Sequence, residues 1–235
     1  MTVGDVTDCD AIVQGAGPAG LAAAIALARE GMAVAVLDDR DPARPAAPPG
    51  HATVDRASER ILTRLGAWPG LARRAACPFP SLQIEEPRTA TTLRLEASEL
   101  GEPHLGHVVE RSLLEEALRE VLAILPGTRL LAPARIRAYT ATEQGVQARL
   151  EDGRTLSAAL LIGAEGCGAE IRRLAGIGWA RAPYGQAAVQ AHLRPERPHG
   201  GIARQRLLAE GPLALLPLAD GGCWLVWPVA RPLAE

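Results

Sequence analysis

The sequence predicts an α/β chain, α+β overall, with a Rossmann-like nucleotide-binding domain and a second, mostly antiparallel sheet domain. Three observations predict it. The apolar run Ala11-Ile12-Val13 leads through Gly15-Ala16-Gly17-Pro18-Ala19-Gly20 into an alanine-rich helical stretch that ends at Glu30. A second apolar run, Ala33 to Leu37, ends on Asp38. From Tyr184 onwards the pattern changes to strand signals: 187–193, 203–208, 213–217 and 223–229, the last two separated by Gly221-Gly222.

Strand, glycine turn, helix, strand and terminal acid form the fingerprint of a dinucleotide-binding βαβ unit. Gly15 permits the tight turn, Gly17 lets the backbone approach a pyrophosphate, and Gly20 lets helix and strand pack closely. The first helical turn offers free N–H groups and partial positive charge to phosphates. Pro18 suits that turn, because its missing N–H has no helical partner to lose. Asp38 is placed to accept both hydroxyls of an adenosine ribose and to repel a 2′-phosphate, which favours FAD or NAD over NADP. The plainer alternative is an ordinary glycine-rich turn with Asp38 as a solvated strand end. Gln14 puts an amide where an apolar strand residue is usual, so it either bonds to loop backbone or weakens the turn.

Composition narrows the class. The chain has 235 residues, 48% hydrophobic, with a net charge of −2, enough for one large domain or two small ones. That charge leaves no electrostatic footprint for nucleic acid, and 3% aromatics leaves few stacking platforms. Cys9, Cys77, Cys167 and Cys223 form no CxxC pair, so reduced thiols and a cytoplasmic location are expected. There is no signal-peptide pattern and no apolar run of membrane-spanning length.

The remaining elements follow in order. The prolines between Asp41 and Gly50 impose an extended loop. Val54 to Leu65 reads as an amphipathic helix with Ile61, Leu62 and Leu65 on its apolar side, and Trp68-Pro69 as a turn. Residues 80–96 alternate as two strands. Ser112 to Leu125 is a helix, with Ser112 as its cap and Glu115 three residues later. Thr128 to Leu131 is a short strand. Val146–Leu150 and Thr155–Ala158 form a hairpin turned at Asp152-Gly153. Leu160 to Gly163 is an apolar strand of the buried parallel type, followed by a helix from Ala169 to Ala175. The domains expected are 1–79 with 97–179 for the nucleotide, and 80–96 with 180–235 for the substrate-domain sheet. The five histidines show no metal-like spacing, so no metal site is expected.

This order of motifs resembles the class A FAD-dependent aromatic hydroxylases, in particular the ubiquinone-biosynthesis branch of 2-polyprenyl-6-methoxyphenol hydroxylase type. The likeness rests on the Gly15–Asp38 fingerprint, the run 105–111 (LGHVVER), 161–166 (LIGAEG), 184–188 (YGQAA), and 211–218 (GPLALLPL) with 224–227 (WLVW). It implies a flavoprotein monooxygenase that binds FAD, takes hydride from transiently docked NAD(P)H, and hydroxylates a polyprenylated phenol through a flavin C4a-hydroperoxide. The cofactor carries that chemistry while the protein orients it and excludes water, so no catalytic triad is expected. Carried onto this chain, the cofactor-binding residues are Gly15, Gly17, Ala19, Gly20, Asp38, Arg40, Arg111 and Glu165. The implied partners are the phenol, other ubiquinone-biosynthesis proteins, a complementing C-terminal chain, and the inner membrane as a peripheral surface.

The sequence departs from the family pattern at four points. Glu165 replaces an aspartate, Ala169 a serine and Gly50 an arginine, and no Gly-Asp dipeptide occurs late in the chain. The expectation from the last is a chain lacking the family's C-terminal part and retaining FAD weakly. Two readings stay open: a hydroxylase or a piece of one, and a truncated or degenerate non-catalytic FAD-binding or assembly homologue. An NAD-dependent dehydrogenase is disfavoured, because no acid/base residue stands out for it.

Overall fold

The computed structural model describes residues 6–41, 50–166 and 170–234. The proline-rich loop, apart from its ends, and Cys167 and Ala169 lie outside the described residues. The chain opens with β1 (Val6–Asp8), β2 (Ala11–Gln14), α1 (Pro18–Arg29) and β3 (Val34–Leu37). Next come β4 (His51–Asp55), α2 (Arg56–Leu65), α3 (Trp68–Ala75), β5 (Cys77–Phe79), β6 (Ser81–Glu86) and β7 (Thr91–Glu96). A 3₁₀ turn (Ala97–Leu100) precedes β8 (Gly106–Glu110), α4 (Arg111–Ile124) and β9 (Thr128–Leu131). Then β10 (Ile136–Thr142), β11 (Gly145–Leu150), β12 (Thr155–Ala158), β13 (Leu160–Gly163) and α5 (Glu170–Leu174) follow. The last elements are β14 (Gln186–Leu193), β15 (Ile202–Leu208), β16 (Gly211–Pro217), β17 (Cys223–Ala230) and α6 (Arg231–Ala234).

The described residues fall into two units. Unit 1 takes those within 1–47, 65–67 and 114–180, and unit 2 those within 48–64, 68–113 and 181–235. In unit 1 a parallel sheet runs β13-β2-β3-β9, with Ile12 paired between Leu161 and Ala35. Every residue of β2 and β3 is buried, as central parallel strands require. Helix α1 turns Leu21, Ala24, Ile25 and Ala28 inward at i, i+3, i+4 and i+7. A second sheet, β1-β12-β11-β10, contributes Ile136, Ala148, Leu150 and Leu156 to the same core as Ile12 and Leu37.

Unit 2 holds a six-stranded sheet, β14-β17-β16-β15-β6-β7, in which only β15 and β6 pair in parallel. A three-stranded sheet, β4-β8-β5, belongs to the same unit. Val108, Leu218 and Trp224, with Phe79 and Leu216, form a core that joins β8 and β5 to the larger sheet. Unit 2 thus takes described residues within 50–64, 68–79 and 97–113 together with those of the six-stranded sheet.

Several local expectations are corrected. The helix expected from Val54 begins at Arg56, because Asp55 Oδ1 accepts the Ser58 N–H at 2.7 Å and caps it. Val54 lies in β4 instead, and Ile61 is 55% exposed rather than core. Trp68-Pro69 opens helix α3, not a turn; proline fits a first helical turn without losing a bond. Ser112 is inside α4, its hydroxyl donating to Glu110 Oε1 rather than capping. Strand β13 is an edge strand with Leu160 41% exposed, so it is not buried on both faces. Strand β10 has one buried residue, Ile136, too little apolar pattern to be read from sequence. No helix among the described residues is long and apolar enough to cross a membrane.

Candidate cofactor site

The glycine turn sits at the carboxyl end of β2, between the strand and α1. Gly15 has φ +107°, and a Cβ there would lie 2.6 Å from Ala164 O. A Cβ on Gly20 would lie 1.9 Å from Gly15 O. Both glycines are therefore required by the turn's own packing. Gly17 differs: its φ is −76°, an ordinary extended conformation, and a Cβ there would meet nothing within 4 Å. It faces open space at the N-terminus of α1. The cap residue of this helix, Gly17, has no side chain to bond the first turn, no described residue caps it, and no acidic residue stands in that turn. The first-turn N–H groups, including that of exposed Ala19, thus lack intrahelical acceptors and present partial positive charge.

Asp38 continues from β3 and is 3% exposed. Its Oδ2 accepts from Arg40 Nη2 and Arg119 Nη2, each at 2.9 Å, and its Oδ1 accepts from Arg40 Nε at 3.1 Å. Burial pushes its pKa up, but the hydrogen bonds and charge of Arg40, aided by Arg119, hold it below the usual carboxylate range. Arg40 also reaches Glu115 Oε2 at 2.9 Å and Ala16 O at 3.1 Å. The ring of charges is thereby tied to the glycine turn itself. Gln14, 1% exposed, bonds to loop backbone: its Oε1 accepts from Ile136 N at 3.1 Å, and its Nε2 reaches Ala134 O at 3.5 Å. The amide therefore fastens the 134–136 segment to β2.

Glu165 follows the end of β13 beside the turn, and Ala164 N donates to Gln14 O at 2.7 Å. Its carboxylate Oε2 accepts from Ile171 N at 2.9 Å, so the longer side chain is engaged in capping α5. Gly15, Gly17, Ala19, Gly20, Asp38, Arg40 and Glu165 all belong to unit 1. Arg111 belongs to unit 2, exposed as the first residue of α4, its N–H on Gly50 O at 2.9 Å.

Unit 2 has features that sequence reasoning missed. A cleft of about 1100 Å³ is lined by His51, Glu110, Gln190, His192, Leu218 and Trp224. The His51 and Trp224 ring centroids are 4.6 Å apart, and His192 Nε2 is 3.1 Å from Asp220 Oδ2. Burial, the largest influence on His51, lowers its pKa despite the opposing charge of Glu110. Elsewhere in the unit, Glu59, His104 and His107 converge. Burial, then His104, brings the His107 pKa down to about 4. The signal available in sequence was only the closeness of His104 and His107.

The turn fits the pyrophosphate of a dinucleotide. Within the turn Gly15 and Gly20 are closed in by backbone while Gly17 faces open space, and the first-turn N–H groups have no acceptor among the described residues. Comparison with known proteins agrees. Residues 8–194 match the FAD binding domain family. Ubiquinone hydroxylase UbiL of Rhodospirillum rubrum is 35% identical over 93% of this chain and 51% of its own length. The 3-demethoxyubiquinol 3-hydroxylase of Escherichia coli is 32% identical over 92% of this chain and 56% of its own. The chain thus spans about half the length of these curated relatives. The solved structure of P. aeruginosa PqsL in complex with 2-aminobenzoylacetate matches with a TM-score of 0.85 at 22% identity. It covers 97% of this chain and 62% of that one, a likeness of fold. The chain belongs to the FAD binding domain family, and within it resembles the ubiquinone-biosynthesis branch of the class A flavoprotein hydroxylases.

Proposed function

We propose that this chain supplies the FAD-binding portion of a monooxygenase that hydroxylates a polyprenylated phenol, with NAD(P)H as reductant and O₂ as oxidant. The observation that carries the reading is the uncapped first turn of α1 with open space over Gly17. When bound and reduced, FAD would supply the oxygen-activating chemistry. The chain's own residues have simpler tasks. The N–H groups of the first turn hold the pyrophosphate, and Asp38 receives the adenosine ribose hydroxyls. To do so Asp38 exchanges one of its arginine bonds for them, leaving Arg40 anchored on Glu115 and Ala16. The phenol ring is assigned to the unit 2 cleft, against Leu218 and Trp224, where apolar walls favour an aromatic guest.

A second reading, a non-catalytic FAD-binding homologue, is favoured by one observation: the Glu165 carboxylate is engaged with Ile171 N–H. Oxygen uptake and NADH oxidation by the chain with added FAD and a short-chain prenyl phenol separate the two. Phenol-stimulated turnover supports the first reading, and FAD binding without it favours the second.

A further inference from the structure

Glu59 on α2, His104 in the segment before β8 and His107 on β8 meet in unit 2, and the flavin reading uses none of them. One ligand atom from each lies within 4.8 Å of the other two. Glu59 Oε2 is 3.6 Å from both His104 Nε2 and His107 Nδ1. His107 is 8% exposed, and its Nδ1 has no hydrogen-bond partner among the described residues. A separation of 3.6 Å is too long for a hydrogen bond. It is close to the roughly 3.3 Å between ligand atoms on a tetrahedral zinc ion with bonds of about 2.0–2.1 Å. A buried nitrogen without a partner, facing a carboxylate oxygen at that distance, suits a cation between them. We propose that Glu59, His104 and His107 form a binding site for a divalent transition metal of the Zn²⁺ class, with the remaining position open to water.

A cationic side chain already borders this place. Arg56 Nη1 lies 2.6 Å from Glu59 Oε2 and 3.2 Å from His104 Nε2. It also has a second anchor, since its Nε and Nη2 lie 2.9 and 2.8 Å from Glu102 Oε2. Metal binding therefore requires Arg56 Nη1 to release both Glu59 and His104 while Nε and Nη2 keep Glu102. The His107 ring is held in turn by Trp68, edge-on, with ring centroids 4.8 Å apart. A divalent ion here would clip α2 and the 104 segment to β8, and borderline nitrogen and oxygen donors select zinc-like ions over Mg²⁺ or Ca²⁺.

The test is titration of the EDTA-treated, dialysed full chain with Zn²⁺ by calorimetry, and with Co²⁺ by visible absorption. Expected are one equivalent bound and the intense Co²⁺ absorption of a low-coordinate site. His104→Ala and Glu59→Gln each weaken binding by about tenfold or more. Arg56→Met removes the competing cation and tightens binding, whereas a purely structural Arg56–Glu59 pair predicts no change in metal affinity. Circular dichroism verifies that each variant is folded; if Glu59→Gln is not, His104→Ala and Arg56→Met still decide. Absence of stoichiometric binding to the wild-type chain, or affinity unchanged in the folded ligand variants, would overturn the proposal. FAD plays no part in these readouts, so the outcome is independent of the flavin reading.

Discussion

The glycine turn of unit 1 and the histidine–glutamate cluster of unit 2 are two polar sites built on opposite principles. The turn presents backbone: its donors are N–H groups, and its specificity comes from the side chains it lacks. The cluster presents side chains from separate segments, and its character comes from burial and from neighbouring charges such as Arg56. A backbone site should fail when atoms are added, and a side-chain site when atoms are removed. Substitutions in and around the turn can break or sharpen that contrast.

The largest effect is expected at Gly20. Alanine ordinarily favours a helix by about 1 kcal/mol over glycine. Here its Cβ would stand 1.9 Å from Gly15 O, and such a backbone clash outweighs the gain, at about 3 kcal/mol or more. Gly20→Ala should therefore unfold at clearly lower denaturant, and equal stability would break the account of the turn. Gln14→Leu comes next. It leaves the buried Ile136 N–H without its acceptor at 3.1 Å, a loss of about 1–3 kcal/mol readable in the same unfolding curves.

A pH titration follows. The folded-state pKa of Asp38 is depressed, so its stabilising contribution is present above the unfolded value of about 4. It is lost as pH falls through the lower folded value. Asp38→Asn should flatten that acid limb of the stability–pH curve, and an unchanged limb would show that the arginine pairs contribute nothing. The smallest effect on stability is expected at exposed Arg111, where alanine should change it by less than about 0.5 kcal/mol. Any loss of FAD affinity in that variant would then report a direct contact.

The same contrast explains what the sequence disclosed. Strand β2, helix α1 and strand β3 were legible because each is specified by contiguous residues: an apolar run, a glycine spacing, an i, i+3, i+4, i+7 face. The six-stranded sheet was legible in outline through the alternation at 80–96 and after Tyr184. Strand β10 was not, since only Ile136 is buried and its other residues carry no period. The engagement of Asp38 by Arg119 joins residues 81 apart, and no local pattern encodes that. Glu165 read as a cofactor ligand, while its bond to Ile171 N joins residues six apart that share no periodic pattern. The histidines showed no metal-like spacing, because Glu59 and the burial that gives them meaning come from elsewhere in the chain.

The central claim is that the space over Gly17 is reserved for a dinucleotide pyrophosphate. Gly17→Ala tests it most directly, because the added methyl meets no atom of the described residues within 4 Å and the backbone there is ordinary. The measurement is an FAD titration by flavin fluorescence on the wild-type chain and this variant, alongside their thermal unfolding. The account predicts unchanged melting and an FAD affinity weakened by about tenfold, the equivalent of roughly 1.4 kcal/mol. Equal FAD affinity in the two proteins, or no FAD binding by the wild-type chain, would contradict it.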